Sequence, residues 1–259
     1  MESSRIPALR LPAADLAAAG EEPIRGYVCA AMWPTLALAN KAYWFDELSI
    51  WTEGFNVTVT QRARLQVNAL RKALSILQQE KAGTVCVTLS FGTIERHVDM
   101  ITSIFDGSLL FKHRILVQVR GQLERARSPY RVHGFLDFLR GEGIGVGYRI
   151  MSPRIGMDVQ ALDQLKPDFG VLRAPTSSRL EFWEGIIVEA RSMGFDPAKL
   201  VVAGLDQPMQ VDLARRAGFG HGQGGAMSPI KTPPWTREAK SAAPAATAAA
   251  TPPAATSKT

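Results

Sequence analysis

The sequence is poor in the residues that build metal sites and disulfides. Its 259 residues include only two cysteines and four histidines. Cys29 and Cys86 lie in apolar, strand-like runs, which is typical of reduced core thiols in a cytoplasmic protein. No pair of cysteines or histidines has the spacing of metal ligands. The sequence therefore predicts a cytoplasmic protein without a disulfide framework and without a metal site of this kind.

Long apolar runs and blocks of one charge are also missing. No run approaches the roughly 20 apolar residues that a membrane-spanning helix needs, and the first residues lack the basic-then-apolar pattern of a secretory leader. The net charge is +6, from 30 Lys and Arg against 24 Asp and Glu. The basic residues form no long block and are not interleaved with aromatic residues. We therefore expect neither a membrane nor a nucleic acid as a partner.

Composition divides the chain into a central domain and two tails. Residues 1–23 are rich in Ala and Pro, and residues 231–259 consist largely of Ala, Pro and Thr. Segments of this composition cannot bury an apolar core, so both tails are predicted to be disordered. Residues 24–230 are long enough to form one large domain.

Strand-like and helical patterns alternate along the central domain. In residues 143–173, apolar residues first alternate with small or polar ones, as in a strand. After Pro153 they fall at helical spacing, and after Pro167 they form a short run that predicts a second strand. Strands are predicted at 26–32, 43–51, 84–90, 115–119, 143–150, 169–172, 200–203 and 219–224, with helices between most of them. The first two form a predicted antiparallel hairpin. This α/β pattern predicts a closed, TIM-like (β/α)8 barrel with one antiparallel strand.

Two segments of the same region resemble a known family. Gly143–Ile150 resembles the "G-x-x-x-a-l-D-D-F-G" strand of the EAL domain, the barrel that hydrolyses cyclic di-GMP, and Leu162–Arg173 resembles its "L-x-x-L-x-p-d-y-v-K-i-D" segment. Other similar segments follow in the family's order: Phe45–Trp51, Val87–Ser90, Val117–Gly121, Val202–Gln207 and Gly218–Gly224. The resemblance covers roughly residues 25–230 and implies a barrel of the EAL type.

The resemblance also implies where an active site would lie, and most residues there differ from the family's pattern. The corresponding positions are Glu47, Thr88, Gln118, Arg149, Ile150, Val171, Arg173, Asp206 and Gln223. Arg149 and Ile150 stand where the family has two aspartates. Val171 and Arg173 stand where it has a lysine and an aspartate. The two carboxylates that remain are Glu47 and Asp206.

This set of residues indicates that the catalytic chemistry has been lost. Active family members use Mg²⁺ or Mn²⁺, and such cations need several carboxylate oxygens. With two carboxylates left and a guanidinium among them, we expect no catalytic residue, no metal and no cofactor.

The arginines and tryptophans allow two interpretations each. Arg149 and Arg173 can pair with Glu47 or Asp206, or they can form a metal-free anion site that binds a phosphate. Three tryptophans lie near the first two strands, namely Trp33, Trp44 and Trp51. They are either core residues or residues on which a purine can stack.

These observations together predict a catalytically inactive EAL-like domain, a pseudoenzyme that acts as an interaction or regulatory protein in bacterial, cyclic di-GMP-related signal transduction. One alternative is a metal-independent sensor of cyclic di-GMP or another nucleotide. A second alternative is a divergent cyclic di-GMP phosphodiesterase. The sequence does not identify the protein partner, and a homodimer is expected only by analogy with EAL barrels.

Overall fold

A computed structural model describes residues 9–12, 27–53, 57–79, 83–106, 109–151 and 159–231. The strands, in chain order β1 to β9, are Leu9–Pro12, Tyr27–Ala37, Tyr43–Glu53, Val85–Ser90, Ile115–Arg120, Gly145–Arg149, Phe169–Arg173, Leu200–Ala203 and His221–Gln223. The helices, α1 to α6, are Val59–Gln79, Phe91–Asp106, Pro129–Gly141, Val159–Leu165, Leu180–Ser192 and Pro208–Ala217. Short 3-10 turns occupy Leu109–Arg114, Leu123–Arg125 and Pro197–Lys199.

Strands β2 to β9 close into an eight-stranded barrel. Strands β3 to β9 run parallel in sequence order. Strand β2 is antiparallel to β3, and it closes the barrel by antiparallel pairing with β9 at Leu36 and Ala37. The helices between the parallel strands make the crossovers that such a sheet requires. The predicted (β/α) barrel with one antiparallel strand is therefore confirmed.

Both predicted tails contribute residues that pair with the edge of β2, although their composition predicted no structure there. Residues 9–12, inside the predicted disordered lead-in, form β1 and pair antiparallel with residues 27–30. Lys231, the first residue of the predicted tail, exchanges backbone hydrogen bonds with Met32. Because β9 covers only the last residues of β2, these segments satisfy backbone groups that would otherwise form an open edge. The remainder of both tails, residues 1–8, 13–23 and 232–259, lies outside the described residues, as do residues 24–26 of the predicted central domain.

Most of the core lies between the barrel and its surrounding helices. Helix α1 buries Leu70, Leu74 and Leu77 on one face, and α5 buries Trp183 completely. The Trp183 indole N–H donates to the carbonyl of Ser177 at 2.8 Å, so this large ring is buried with its polar atom satisfied. No helix within the described residues combines the length and the apolar character that crossing a bilayer requires.

The inside of the barrel is filled with apolar side chains below the carboxyl ends of its parallel strands. Phe45, Cys86, Phe169 and Val171 pack together there. Gly147 makes room for this layer, because a Cβ at that position would lie 2.3 Å from Cζ of Phe169. Because this layer fills the interior, a cavity can form only above it, at the carboxyl ends of the parallel strands.

Candidate functional site

A cavity of about 740 Å³ opens at the carboxyl ends of the barrel strands. Arg120, Arg149, Arg173, Ala203 and Gln223 are the last residues of five consecutive strands, and all line the cavity. The remaining wall includes Trp33 and Trp51 from the β2–β3 hairpin, Arg62 and Gln66 from α1, and Glu47, Thr88, Gly204 and Asp206. This end of a parallel barrel is where binding sites normally form, and the volume suits a small-molecule ligand.

A chain of hydrogen bonds crosses the cavity floor and ends on an ion pair. Arg149 Nη1 lies 3.1 Å from Glu47 Oε1 and 3.4 Å from Oε2. The Thr88 hydroxyl donates to Glu47 Oε1 at 3.3 Å, and the Gln118 amide donates to the Thr88 hydroxyl at 3.1 Å. Glu47 is buried, and its charge is therefore held by one guanidinium and one hydroxyl. The Arg149–Glu47 pairing that the sequence allowed is present.

Three further arginines make the cavity electropositive. Within the described residues, Arg62, Arg120 and Arg173 form no ion pair, although all three line the cavity with Arg149. Arg120 lies beside Arg149 in the register between β5 and β6. Burial lowers the pKa of Arg120, and the nearby positive charges of Arg62 and Arg149 lower it further, while Glu47 opposes them. A site of this kind attracts anions.

The second carboxylate of the site, that of Asp206, is hydrogen-bonded to the backbone and, within the described residues, not to an arginine. Asp206 Oδ1 accepts a hydrogen bond from the backbone N–H of Gly225 at 3.1 Å, and Asp206 makes no ion pair with an arginine of the described chain. Gln223, at the end of β9, donates to the Thr35 hydroxyl of β2 at 2.6 Å. This bond is buried and lies across the seam where the barrel closes.

The nine positions that the family resemblance singled out do not all face the cavity. Six of them line it, namely Glu47, Thr88, Arg149, Arg173, Asp206 and Gln223. Gln118 lies completely buried below the floor, and its Oε1 has no hydrogen-bond donor within the described residues. Val171 belongs to the apolar layer inside the barrel. Ile150 points away from the cavity and packs in the core between barrel and helices, because it continues the outward face of Val146 and Tyr148.

Two arginines of the site were absent from the sequence-based set. Arg120 follows directly after the strand predicted at 115–119, so its position at a strand end was a usable signal. Arg62 lies on α1 and reaches the cavity only through the packing of that helix. Of the tryptophans, Trp33 and Trp51 line the cavity, whereas Trp44 packs against Phe45, Phe169 and His221 at the other end of the barrel.

Cys86 lies beneath the ion pair and is shielded from solvent. Burial raises the pKa of the Cys86 thiol, the negative charge of Glu47 raises it further, and Arg149 partly opposes both effects. A thiol with a raised pKa is a poor nucleophile. Cys86 is therefore a core residue of the barrel, as the sequence predicts.

The chain was compared with known proteins in three ways. No family model matches it. No curated protein matches it either. Solved structures do match, and they include several EAL-domain proteins.

An EAL-domain protein from Listeria monocytogenes EGD-e is 11% identical, covers 82% of this chain and 92% of its own, and has a TM-score of 0.62. The EAL domain of DcpA from Mycobacterium smegmatis is 14% identical, covers 82% of this chain and 96% of its own, and has a TM-score of 0.61. LapD from Vibrio cholerae, an S helix-GGDEF-EAL protein bound to cyclic di-GMP, is 12% identical over 76% of this chain, with a TM-score of 0.61. The match spans 52% of the LapD chain. At such identities the likeness concerns the fold, and this chain therefore has the barrel fold of the EAL domains.

Proposed function

We propose that this protein is a catalytically inactive regulatory domain that binds cyclic di-GMP at the mouth of its barrel, without a metal ion and without hydrolysing the ligand. The observation that carries the proposal is the charge of the cavity. Four arginines line it, against one carboxylate held in an ion pair and one bound to a backbone N–H. This arrangement suits a ligand that brings its own negative charge.

The residues at the mouth do not fit a divalent cation, which supports the metal-free form of the proposal. Magnesium and manganese ions prefer several carboxylate oxygens. Both oxygens of Glu47 face Arg149, and no cluster of three or more metal-binding side chains occurs in the described part of the chain. A guanidinium about 4–6 Å from a cation opposes binding by about 3 to 4 kcal/mol per unit of cation charge, at an effective dielectric constant near 20.

The remaining groups match the chemistry of a cyclic dinucleotide. Its phosphodiesters carry single negative charges, and the planar guanidinium of an arginine binds two phosphate oxygens at once. Because Arg149 is engaged by Glu47, Arg120 and Arg173 are the strand-end arginines available for phosphate. Trp33 and Trp51 offer apolar faces on the same cavity for guanine stacking. Two of the similar structures, from LapD and a MucR phosphodiesterase, are complexes with cyclic di-GMP.

The proposal selects one of the alternatives that the sequence left open. A domain that binds the ligand without cleaving it can report the ligand concentration to other proteins through a change of population. The protein partner and the homodimer remain predictions. The charge of the cavity supports the binding of a small anion and does not bear on which protein surface would bind a partner.

Calorimetric titration with cyclic di-GMP tests the proposal. We expect binding of equal affinity in EDTA and in Mg²⁺, and no linear dinucleotide after long incubation in Mg²⁺ or Mn²⁺. Arg173→Ala should weaken binding by roughly tenfold or more, the scale of a charge-assisted bidentate contact. Arg191→Ala is the matched control, because Arg191 is exposed in the last turn of α5, at the opposite end of the barrel. Binding that requires a divalent cation, or release of a linear product, would contradict the proposal.

A further inference from the structure

A second cavity lies beside the barrel mouth, between the segments that follow β4 and β5. Its volume is about 410 Å³. It is lined by four arginines, Arg96, Arg120, Arg125 and Arg127, together with Glu95, Gln122 and Ser128 and several small or apolar residues. Arg120 lines both cavities, which places the second one directly next to the first.

The charges around the second cavity are unbalanced. Glu95 is the acidic residue in its wall, and Glu95 Oε1 accepts the backbone N–H of Ser128 at 2.5 Å. That hydrogen bond fixes the loop before α3 against α2. Within the described residues, none of the four arginines forms an ion pair. A single exposed arginine is solvated and needs no explanation, but several on one concave surface produce a positive potential that concentrates anions there.

The arginine cluster has a boundary on the side of α3. The next arginine along the chain, Arg131 in α3, lies outside the cavity and is already paired with Asp99 at 3.1 Å. Arg96, Arg125 and Arg127 are therefore gathered in a hollow of about 410 Å³ that adjoins the electropositive barrel mouth. A confined hollow with several guanidinium groups suits a compact anion better than it suits an extended nucleic acid, which needs a basic track along its backbone.

We propose that this second cavity binds the phosphate groups of a small phosphorylated compound, at a site distinct from the barrel mouth. The shared chemistry is a phosphate with two or more negative charges, either as a free anion or as the phosphate end of a nucleotide. The inference goes beyond the proposed function and does not depend on it, because it rests on Arg96, Arg125 and Arg127, which do not line the barrel mouth.

Arg120 connects the two sites. It ends β5, next to Arg149 in the sheet, and its side chain is partly buried between the cavities. Arg120 also lies close to the positive charges of Arg149 and Arg62, and an anion between the cavities would offset this repulsion. One guanidinium has five N–H donors in a planar fork, so Arg120 can donate to an anion on either side.

Titration calorimetry with pyrophosphate at low ionic strength tests the inference on the full chain. To weaken anion binding at the barrel mouth, the starting protein is the Arg173→Ala variant, which should still bind pyrophosphate at the second cavity. Adding Arg96→Ala and Arg127→Ala should weaken this binding by roughly tenfold or more. Both arginines are exposed, so the substitutions should not disturb folding, and circular dichroism melts check this. The same two substitutions in the native chain should leave cyclic di-GMP affinity within about twofold.

The matched control is Arg131→Ala, which removes the same charge from the same face but from a residue outside the cavity. Pyrophosphate affinity should change by no more than about twofold in that variant. An equal loss in Arg131→Ala would show a diffuse surface field and would overturn the inference. Absence of pyrophosphate binding, or binding unaffected by Arg96→Ala and Arg127→Ala, would also overturn it.

Two further comparisons identify the source of the phosphate and distinguish failure of this proposal from failure of the proposed function. Tighter binding of GDP than of pyrophosphate would indicate that a nucleotide supplies the phosphate, whereas tighter binding of pyrophosphate would indicate a free anion. If cyclic di-GMP does not bind but pyrophosphate binds and depends on Arg96 and Arg127, the proposed function fails and the second site stands.

Discussion

Arg149 and Glu47 form an ion pair across the barrel floor, with Arg149 Nη1 at 3.1 Å from Glu47 Oε1. The two residues are 102 positions apart in the sequence and are brought together because β3 and β6 both belong to the closed barrel. The Glu47 side chain is only 5% exposed and that of Arg149 30% exposed. The carboxylate therefore depends on Arg149 for its charge balance, whereas the guanidinium retains some contact with water.

Removing one partner of this pair should cost more than removing both. Arg149→Ala leaves a buried carboxylate without its cation, and the free energy of unfolding should fall by roughly 3 kcal/mol. The double variant Arg149→Ala with Glu47→Gln should recover much of that loss, because glutamine is neutral and can still accept from the Thr88 hydroxyl. Urea denaturation of the two single variants and the double variant measures both effects.

An exposed ion pair serves as the control for that experiment. Arg131→Ala breaks the pair with Asp99, whose side chain is 93% exposed. The expected loss is about 0 to 1 kcal/mol. If Arg149→Ala were equally mild, Arg149 would not be needed for charge balance, and the argument against a divalent cation at Glu47 would lose its main support.

The fold was largely predictable because its elements carry clear local patterns. The strands predicted at 143–150 and 169–172 are observed as Gly145–Arg149 and Phe169–Arg173. Alternating apolar residues and flanking prolines set these limits, and neither depends on distant contacts. The strand Leu9–Pro12 was missed for the opposite reason. Its pairing depends on the uncovered edge of β2, which composition does not reveal.

The candidate site was only partly predictable, and Ile150 shows why. The comparison with the family motif placed it among active-site positions, but the alternation of Val146, Tyr148 and Ile150 already assigned it to the outward face of β6. The structure follows the alternation, with Ile150 in the outer core. Arg62 could not be grouped with Arg149 from sequence, because only the packing of α1 brings it to the cavity. Arg120 could be placed at a strand end, but its position directly opposite Arg149 depends on the register of β5 with β6.

Gly147 is required by the packing inside the barrel. A Cβ there would lie 2.3 to 2.8 Å from three ring atoms of Phe169, a residue that is almost fully buried. Gly147→Ala should therefore lower the free energy of unfolding by about 1 to 3 kcal/mol, the usual cost of overpacking. Adding Phe169→Leu should recover part of that loss, since the shorter side chain makes room for the new methyl group.

A second glycine provides the matched control for this substitution. Gly134 is exposed within α3, and a Cβ there would meet no atom within 4 Å. Gly134→Ala should raise the free energy of unfolding by about 0.5 to 1 kcal/mol, because alanine loses less conformational freedom in a helix. Chemical denaturation compares the two glycine variants. Equal effects would mean that the interior layer can rearrange around Phe169.

The buried hydrogen bond across the barrel seam should contribute measurably to stability. Gln223→Ala leaves the Thr35 hydroxyl without its donor at 2.6 Å, and we expect a loss of about 1 to 3 kcal/mol. Thr35→Val combined with Gln223→Leu should be milder than Gln223→Ala, because no buried polar group is then left unpaired. Gln164→Ala, at an exposed position of α4, is the control and should be nearly neutral. A neutral Gln223→Ala would indicate that the seam does not depend on this bond.

The lowered pKa of His221 predicts how stability changes with pH. His221 Nδ1 lies 3.1 Å from the carbonyl oxygen of Ala198, and its ring centroid is 4.2 Å from that of Trp44. Burial lowers the pKa of His221, although the hydrogen bond to Ala198 opposes this effect. The unfolded chain, in which histidine has a pKa of about 6.5, therefore binds a proton more readily at this residue than the folded protein does.

It follows that stability should fall as the solution is acidified. Above the unfolded pKa both states are neutral at His221 and the residue contributes no pH dependence. As the pH decreases below about 6.5, the unfolded state takes up the proton first, so the free energy of unfolding decreases until the folded pKa is passed. His221→Gln should remove this part of the decrease when denaturation curves from about pH 8 to pH 5 are compared with those of the native chain. The exposed histidine His113 gives the control His113→Gln, which should keep the native pH dependence. If the free energy of unfolding decreases by the same amount on acidification in His221→Gln, groups other than His221 cause the pH dependence.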